Sequence, residues 1–428
     1  MKNLAGGLQW AVFLIASSIA APIAIAQVFG MDGTETALFI QRTIFTLGIA
    51  CLIQSFIGHR LPINEGAAGL WWGIFVVYAG MVGVIYPTAR DSLQALQSGM
   101  LYSGVLFILL ALFGFVSKMK KLFTPTITFT YLMLLILQLS GTFVKGMFGL
   151  EEKGDHLDGT VVVGSIVVVF ITLITMNHKI KWVAKYSVLL SIGSGWILFL
   201  LLGKTPVFTS HTTQLIELPS MLVYGRPVWD SGILVTSIFI TLLLIANMMA
   251  SIRVMESLLK HSFSIEVQSR VKEGGIASGI NQLVAGLFSS IGPVPISGAA
   301  GFVSATRMVS MKPFILGSII VVAITIFPDI MSVFATLPAA VACAVTFVIF
   351  TKMVEMAFKE LAMEPNQVQA FKVIGLGLMI GVGLMFVPAE SLVGLPNILI
   401  SILSNGLITG TIVAIVMEQF LLWKIARN

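Results

Sequence analysis

Long apolar runs separated by short polar loops form the dominant pattern along this chain. A membrane-spanning helix uses about 20 residues, and apolar runs near that length recur from one end to the other. The pattern predicts an all-α polytopic membrane protein with about 14 transmembrane segments. Seven predicted spans occupy 1–203, a polar loop occupies 204–230, and seven more spans occupy 231–428. The predicted spans are 8–28, 37–57, 66–86, 99–116, 124–145, 159–176 and 182–202, followed by 231–252, 275–291, 296–308, 313–335, 337–351, 368–387 and 397–420.

Composition excludes a soluble protein of this size. The chain is 57% hydrophobic and 10% charged, whereas soluble proteins carry roughly 25% charged residues. Its two cysteines, Cys51 and Cys343, lie within apolar runs, where they indicate neither a disulfide framework nor a metal motif. The five histidines fall in loops or at span ends, and no HExxH motif occurs. We therefore expect neither an enzyme nor a bound cofactor.

The distribution of basic residues predicts the orientation of the chain. An even number of spans puts both termini on one side, and 19 of the 25 Lys and Arg residues lie on that side, while Arg42 starts a span. The positive-inside rule then places both termini in the cytoplasm and the loop 204–230 outside a cell membrane. The net charge of +6 therefore reflects basic cytoplasmic loops and not a nucleic-acid partner.

A short motif occurs once in each half of the chain. Residues 62–70 read PINEGAAGL, and residues 295–302 read PISGAAGF, which is one residue shorter. Each copy opens the third span of its set, which indicates an internal repeat. Because seven is odd, the second repeat must enter the membrane in the opposite direction. Interrupted helices at matching places in inverted repeats are typical of a transporter's binding site.

The tenth predicted span cannot be a regular helix throughout. The steps from 292 to 307 would cover about 22 Å as a helix, short of a hydrocarbon core of about 30 Å. Pro293 and Pro295 lack amide donors and restrict the residues before them, so 292–297 is expected to be extended, as is 61–65. Extended backbone at that depth cannot face lipid, so the two segments are predicted to pair as short antiparallel strands.

Two helix N-termini would then meet near the membrane midplane, one beginning near Gly66 and the other near Gly298. Free amides at such ends attract carbonyl oxygens and anions, and small side chains leave room for a flat ligand. The predicted substrate-binding residues at these helix starts are Gly66, Ala67, Ser297, Gly298, Ala299 and Ala300.

Several stretches resemble one family of membrane transporters. They are Gln9-Trp10 with Ala21-Pro22, Leu61–Gly66, Pro338–Val341 and Ser404–Ile415. They are similar to the nucleobase–cation symporters, also called nucleobase–ascorbate transporters, in which the third span carries Leu-Pro-x-x-Gln-Gly. The resemblance implies two inverted repeats of seven spans, with short strands in spans 3 and 10 at the substrate site. It also implies a core that moves against a gate domain, and a possible homodimer.

The chain departs from the family pattern at both acidic positions of the site. The glutamate of span 8 aligns with Ala250, and the stretch after the strand of span 10 contains no acid. Asn247 lies three residues earlier on the same helical face, where it and Ser251 could hydrogen-bond the edge of a ring. The alternative is that both only hydrogen-bond a neighbouring helix. Trp71 aligns with a family aromatic and is predicted to offer a stacking surface.

Glu65 is the candidate for both substrate binding and ion coupling. It stands where many family members have glutamine, and ionisable residues within a membrane are costly and usually functional. Its burial would disfavour the ionised form, so it could exchange a proton near the working pH. The alternative is a place near the cytoplasmic interface, where Glu65 would pair with Arg60 or Arg307.

The sequence therefore predicts a secondary active transporter, a permease for purine or pyrimidine nucleobases that works by alternating access. Its expected partners are a small nucleobase substrate, a proton or Na⁺ as the coupling ion, and the lipid bilayer. An anion transporter of the same architecture is one open alternative, since the site lacks the family acids. A membrane sensor or binding protein that no longer transports is the other.

Overall fold

The computed structural model describes residues 2–118, 122–150, 156–206 and 215–427. The predicted all-α membrane architecture is confirmed. Nine helices among the described residues are long and apolar enough to cross a membrane, and one strongly bent helix pair adds a tenth candidate. Shorter or interrupted segments occupy the remaining predicted spans.

The first half contains ten helices and one strand among its described residues. They are α1 (Lys2–Ala16), α2 (Ala20–Val28), α3 (Gly33–Phe56), β1 (Glu65–Ala67), α4 (Gly69–Ala79), α5 (Ala89–Leu112), α6 (Phe115–Lys118), α7 (Pro125–Met147), α8 (Gly159–Met176), α9 (Lys181–Lys185) and α10 (Ser187–Leu201).

The second half begins with the longest described helix and contains the second strand. Its elements are α11 (Ser231–Phe263), α12 (Val271–Leu287), β2 (Pro293–Pro295), α13 (Gly298–Thr306), α14 (Met311–Thr325), α15 (Pro328–Ala335), α16 (Ala339–Ala362), α17 (Gln367–Met385), a 3₁₀ turn (Ala389–Leu392), α18 (Asn397–Leu403) and α19 (Gly406–Arg427).

Polar caps set the starts of several membrane helices. The side chain of Asp32 accepts from the backbone N–H of Glu35 at the start of α3. Thr88 and Asp91 form a reciprocal capping box at the start of α5. Such caps satisfy amide groups that a helix leaves unpaired at its first turn, and they stop the helix at a defined residue.

Three spans that the sequence predicts as single segments are broken in the structure. Span 1 is interrupted between α1 and α2, because Pro22 cannot donate to the carbonyl of Ser18 and its ring crowds that carbonyl. Span 11 divides before Pro328, which begins α15. Span 14 divides at Asn405, whose side chain accepts from the N–H of Ile408 and starts α19.

The helices pack as two groups, each drawn from both halves of the chain. In the first group α5 lies against α11 and α12, α3 against α12 and α14, and α1 against α14. In the second group α7 lies against α16, α17 and α19, and α8 against α10 and α16. The strand pair belongs to the first group, with β1 on α3 and β2 on α11 and α12.

Within the second group, α17 and α19 approach each other through glycine. A Cβ atom built on Gly406 would overlap the backbone carbonyl oxygen of Gly381. Backbone cannot move aside as a flexible side chain does, so the two helices would have to separate. Glycine at 406 is therefore required by contact and not by backbone conformation.

We expect Gly406→Ala to destabilise the protein by about 1–3 kcal/mol, the usual cost of overpacking a close-packed contact. The measurement is thermal unfolding of the purified protein in detergent. Gly383→Ala is the matched control, because a Cβ there meets nothing within 4 Å and alanine favours the helix. Equal melting temperatures for the two variants would contradict this account of the contact.

Candidate functional site

The two predicted extended segments pair in the interior of the helix bundle. β1 and β2 are antiparallel, and Glu65 pairs with Pro295, Gly66 with Val294 and Ala67 with Pro293. The ladder continues at both ends, where Ile296 N–H donates to the carbonyl of Asn64 and Ala68 N–H to that of Gly292. The prediction that the two segments pair as short antiparallel strands is confirmed, but their bounds differ from the predicted 61–65 and 292–297. Ile63 N–H donates to the carbonyl of Leu61, so the chain turns there, and Ser297 already has helical backbone angles.

The prolines of β2 occupy the positions at which the ladder needs no amide donor. Their carbonyl groups point away from β1, and side chains of neighbouring helices bind both. Gln282 Nε2 on α12 donates to the carbonyl of Pro293 at 2.6 Å. Ser251 Oγ and Asn247 Nδ2 on α11 donate to the carbonyl of Pro295 at 2.8 Å and 3.4 Å. Extended backbone is thus satisfied without water, as membrane interiors require.

The structure uses the two copies of the repeated motif differently. In the first copy Gly66 and Ala67 belong to β1, whereas the GAAG of the second copy begins at Gly298, after β2 has ended at Pro295. α13 begins at Gly298 as predicted, but α4 begins at Gly69 and not near Gly66. The reason is that Gly66 and Ala67 are needed as strand residues, so the first GAAG is mostly extended and the second is helical.

A side chain at Gly66 would have to displace the side chain of Ile296. A Cβ atom there would overlap the Cδ1 atom of Ile296 and would lie 3.5 Å from the Oγ atom of Ser18. The face of β1 that carries Gly66 is therefore turned toward the break between α1 and α2. This break, the start of α13 and the strand pair together form the candidate site.

Polar atoms that find no partner among the described residues line this face, and the sequence did not predict them. Asn64 Nδ2 donates to Ser17 Oγ at 3.3 Å, but Asn64 Oδ1 and Ser18 Oγ are buried and accept or donate no hydrogen bond within the described part of the chain. Buried polar groups are normally satisfied, so such exceptions point to a ligand or water. The available signal was Pro22, four residues after Ser18, which marks the break in span 1.

At the start of α13 the predicted residues differ in access. Gly298 is exposed and Ser297 is half-buried, whereas Ala299 and Ala300 are buried. Ala67 on β1 is half-buried. A ligand at this helix start would therefore meet Ser297 and Gly298 first.

The aromatic side chain near α13 is not the one that the sequence predicts. Trp71 is fully buried against Gly292, and its Nε1 donates to Gln282 Oε1 at 2.8 Å. It therefore supports the residue that holds β2, and in this structure it presents no open ring face. Phe13 on α1 and Phe302 on α13 instead stack with ring centroids 4.3 Å apart, one turn from Ser17 and Gly298.

Glu65 lies on the opposite face of β1. It is fully buried, and its two carboxylate oxygens have no hydrogen-bond partner among the described residues. The Asn281 side chain on α12 is its polar neighbour, and Glu65 N–H lies 3.2 Å from Cys51 Sγ on α3. Within the described residues Glu65 forms no ion pair with Arg60 or Arg307, so the interfacial alternative is not what the structure shows.

No group of three or more histidine, cysteine, aspartate or glutamate side chains is arranged to hold a metal ion in the described part of the chain. The polar groups of the candidate site are amides, hydroxyls and backbone. Such groups suit hydrogen bonding to a neutral or anionic organic ligand.

Solved structures with a similar fold are transporters. The chain superposes on the transmembrane domain of a cyanobacterium bicarbonate transporter, BicA, with a TM-score of 0.67 and 13% identity, covering 96% of this chain and 97% of that one. The murine anion transporter Slc26a9 in an inward-facing state gives a TM-score of 0.65 at 12% identity, covering 98% of this chain and 68% of that one. At this identity the likeness concerns the fold alone.

Sequence relatives carry more specific information. The putative purine permease YwdJ of Bacillus subtilis is 44% identical over 99% of this chain and 97% of its own. The uric acid permease PucJ of the same organism is 24% identical over 96% of this chain and 91% of its own. Residues 1–390 match the sequence model of a permease family that takes its label from xanthine and uracil permeases. The chain therefore belongs to this permease family, the nucleobase–cation symporters, and is a multi-pass membrane protein.

Proposed function

We propose that this protein is a secondary active transporter for purine nucleobases. The observation that carries the proposal is the strand pair β1–β2 at the starts of two half-helices, with unpartnered polar atoms of Asn64 and Ser18 beside it. The names of the relatives, a putative purine permease and a uric acid permease, support a purine over a pyrimidine.

The chemistry of the site suits a base. Purines carry ring N–H donors and carbonyl acceptors around a flat edge, and amides and hydroxyls can pair with both. The Oδ1 of Asn64 accepts, and the hydroxyl of Ser18 does either. At the start of α13 the N–H groups of Ala299 and Ala300 already donate to the carbonyls of Ile296 and Ser297, so a carbonyl oxygen of the ligand would be attracted by the positive end of the helix dipole. The Phe13–Phe302 stack supplies an apolar neighbour for the ring.

Transport would proceed by alternating access between the two packing groups. In this proposal 1–203 and 231–428 are the two inverted seven-span repeats, and the group that contains β1 and β2 carries the substrate past the other group. α13 is a nine-residue helix that meets α14 at an angle of 119°, and in this proposal it forms the interrupted tenth span together with β2. Both termini are placed in the cytoplasm, a proton or Na⁺ is the coupling ion, and a homodimer is the proposed assembly.

A competition uptake panel tests the proposal. Cells that express the protein are expected to take up a radiolabelled purine, with unlabelled hypoxanthine, xanthine, guanine or urate competing and uracil competing less. Vector-only cells provide the background. Sulfate and bicarbonate are included because anion transporters share the fold.

Three outcomes of the panel separate the candidate functions. Competition by purines supports the permease. Competition by sulfate or bicarbonate alone would favour the anion transporter. Purine binding by purified protein without any uptake would favour a sensor or binding protein.

A further inference from the structure

Arg42 is buried in a membrane helix and forms no salt bridge with any described residue. The sequence places it at the start of span 2, but α3 begins at Gly33, so Arg42 lies about 13 Å farther along the helix. Its side chain is 4% exposed. One amino group, Nη2, donates to the hydroxyl of Tyr224 at 3.3 Å, while Nε has no partner among the described residues.

Aromatic rings flank the guanidinium group on two sides. The Arg42 Cζ atom lies 5.8 Å from the ring centroid of Phe39 and 5.8 Å from that of Tyr224. These contacts favour a cation and hold the plane of the group in place. They do not neutralise its charge. Glu35 is near enough to interact electrostatically with Arg42, but the two form no salt bridge among the described residues, and a buried charge without a contacting counter-ion is costly.

Arg42 is among the residues that line a cavity of about 310 Å³, here called the Arg42 pocket. Its walls include the apolar side chains of Phe29, Leu38 and Leu93. This volume is at the lower end of the range for small-molecule sites, roughly 300–1,000 Å³. The pocket is therefore large enough for a single flat ring system.

The loop that closes the Arg42 pocket is held by hydrogen bonds to the first packing group. Leu222 N–H donates to the carbonyl of Leu287 at 2.8 Å, and Val223 N–H to Ser289 Oγ at 3.0 Å. Gln97 Nε2 donates to the carbonyl of Gly225 at 2.8 Å. The residues on both sides of Tyr224 are thus held in place, and the described part of the pocket is preformed.

The charges that line the Arg42 pocket favour an anion. Arg42 and the exposed Arg90 are positive, and the exposed Glu35 is the one negative residue among the lining residues. Within the described residues neither arginine forms an ion pair with Glu35. One positive charge is left for a ligand, and guanidinium groups bind planar oxyanions well.

We propose that the Arg42 pocket binds the anionic form of a planar substrate, such as the urate monoanion, at a second site separate from the strand pair. This inference rests on the proposed nucleobase function and adds a preference for ionised purines. The pocket lies at the end of the bundle where α3 and α5 begin, so it would collect substrate at that membrane face.

The test compares transport of an anionic and a neutral purine. Arg42→Met removes the charge and keeps a long apolar side chain. It should raise the KM for urate about tenfold, the cost of losing a charge-assisted hydrogen bond, and leave the KM for hypoxanthine within about twofold. Arg42→Lys keeps the charge, so its KM for urate should lie between those of the wild type and Arg42→Met.

Glu35→Gln gives a test of opposite sign at an exposed residue, where folding is not at risk. Removing the negative charge should lower the KM for urate by roughly two- to fivefold and leave hypoxanthine unchanged. Glu266→Gln is the matched control, since this exposed glutamate lies outside the pocket. The inference is overturned if Glu35→Gln and Arg42→Met shift urate and hypoxanthine equally, or if chloride competes with urate as well as urate itself does.

Failure of this inference can be told from failure of the proposed function. If both variants take up purines normally and their KM for urate is unchanged, the proposed transport function is supported and urate binding in the Arg42 pocket is contradicted. The opposite result is also informative. If the wild-type protein takes up no purine, but urate binding weakens in Arg42→Met and tightens in Glu35→Gln, the transport function is contradicted and the Arg42 pocket is supported.

Discussion

Replacing Gly298 with valine should weaken purine binding by roughly ten- to a hundredfold while the protein still folds. Gly298 is the exposed first residue of α13. A Cβ atom there meets only Ile296 Cγ2, at 3.6 Å, which is an ordinary contact. The added methyl groups would instead occupy the space in which a ligand would approach the helix amides. Forcing a ligand past them costs about 1–3 kcal/mol, and each 1.4 kcal/mol is tenfold in affinity.

The matched control is Gly301→Val, the same change one turn farther along α13. A Cβ atom at Gly301 meets nothing within 4 Å, so the variant tests whether valine in this helix is harmful in itself. Ala299 is less suitable than Gly298, because it is fully buried and leucine there would strain the fold. Equilibrium binding of a radiolabelled purine to purified protein gives the result. Unchanged purine affinity in Gly298→Val would show that the site is not at the start of α13. Equal losses of affinity in Gly298→Val and Gly301→Val would show that valine anywhere on this face of α13 is harmful.

The strand pair could be predicted from the sequence because its causes are local. Pro293 and Pro295 exclude a helix, the span is too short to cross otherwise, and extended backbone inside a membrane needs a partner. The register could not be predicted in the same way. The two GAAG stretches do not define a register, because β1 includes Gly66 and Ala67 of the first copy, whereas β2 ends before the second copy begins at Gly298.

The side chains around the strands were likewise predicted only in part. Asn247 and Ser251 were predicted to hydrogen-bond the edge of a substrate ring, whereas in the structure both donate to the carbonyl of Pro295 and so hold β2 in place. Phe13 was not predicted, because nothing in an apolar first span distinguishes one phenylalanine from its neighbours. Arg42 was assigned to a span end because the span was started four residues late. A residue count along a helix decides whether such an arginine is at the surface or buried.

Glu65→Gln should retain purine binding and exchange but abolish accumulation driven by a pH gradient. Glu65 is fully buried beside Asn281, and both Glu65 oxygens and Asn281 Oδ1 lack partners among the described residues. An ionised carboxylate without a cation is costly there. A protonated carboxyl group can donate to Asn281 Oδ1, which would satisfy an atom on each side chain. Glutamine can donate to the same oxygen, so it imitates the protonated form permanently.

Glu65 and Gly66 lie on opposite faces of β1, so Glu65 would not contact the substrate directly. Its protonation state can therefore change substrate affinity only by moving β1. Losing the proton would leave a bare charge between α3 and α12, and relief of that charge requires water or movement of β1. Since β1 pairs with β2 and β2 leads into α13, such movement would displace the start of α13, where the substrate is proposed to bind. Protonation of Glu65 would in this way be linked to the affinity of the site.

Glu418→Gln is the matched control for this link. Glu418 is also mostly buried, at 7% exposure, but it accepts a hydrogen bond from Thr124 at 2.7 Å and lies on α19, in the other packing group. Uptake into proteoliposomes with and without an imposed pH gradient separates exchange from accumulation. We expect Glu418→Gln to accumulate purine like the wild type and Glu65→Gln to exchange without accumulating. If Glu65→Gln accumulates purine with the wild-type pH dependence, the coupling group lies elsewhere, and a buried carboxyl group that faces Asn281 must then be explained by packing alone.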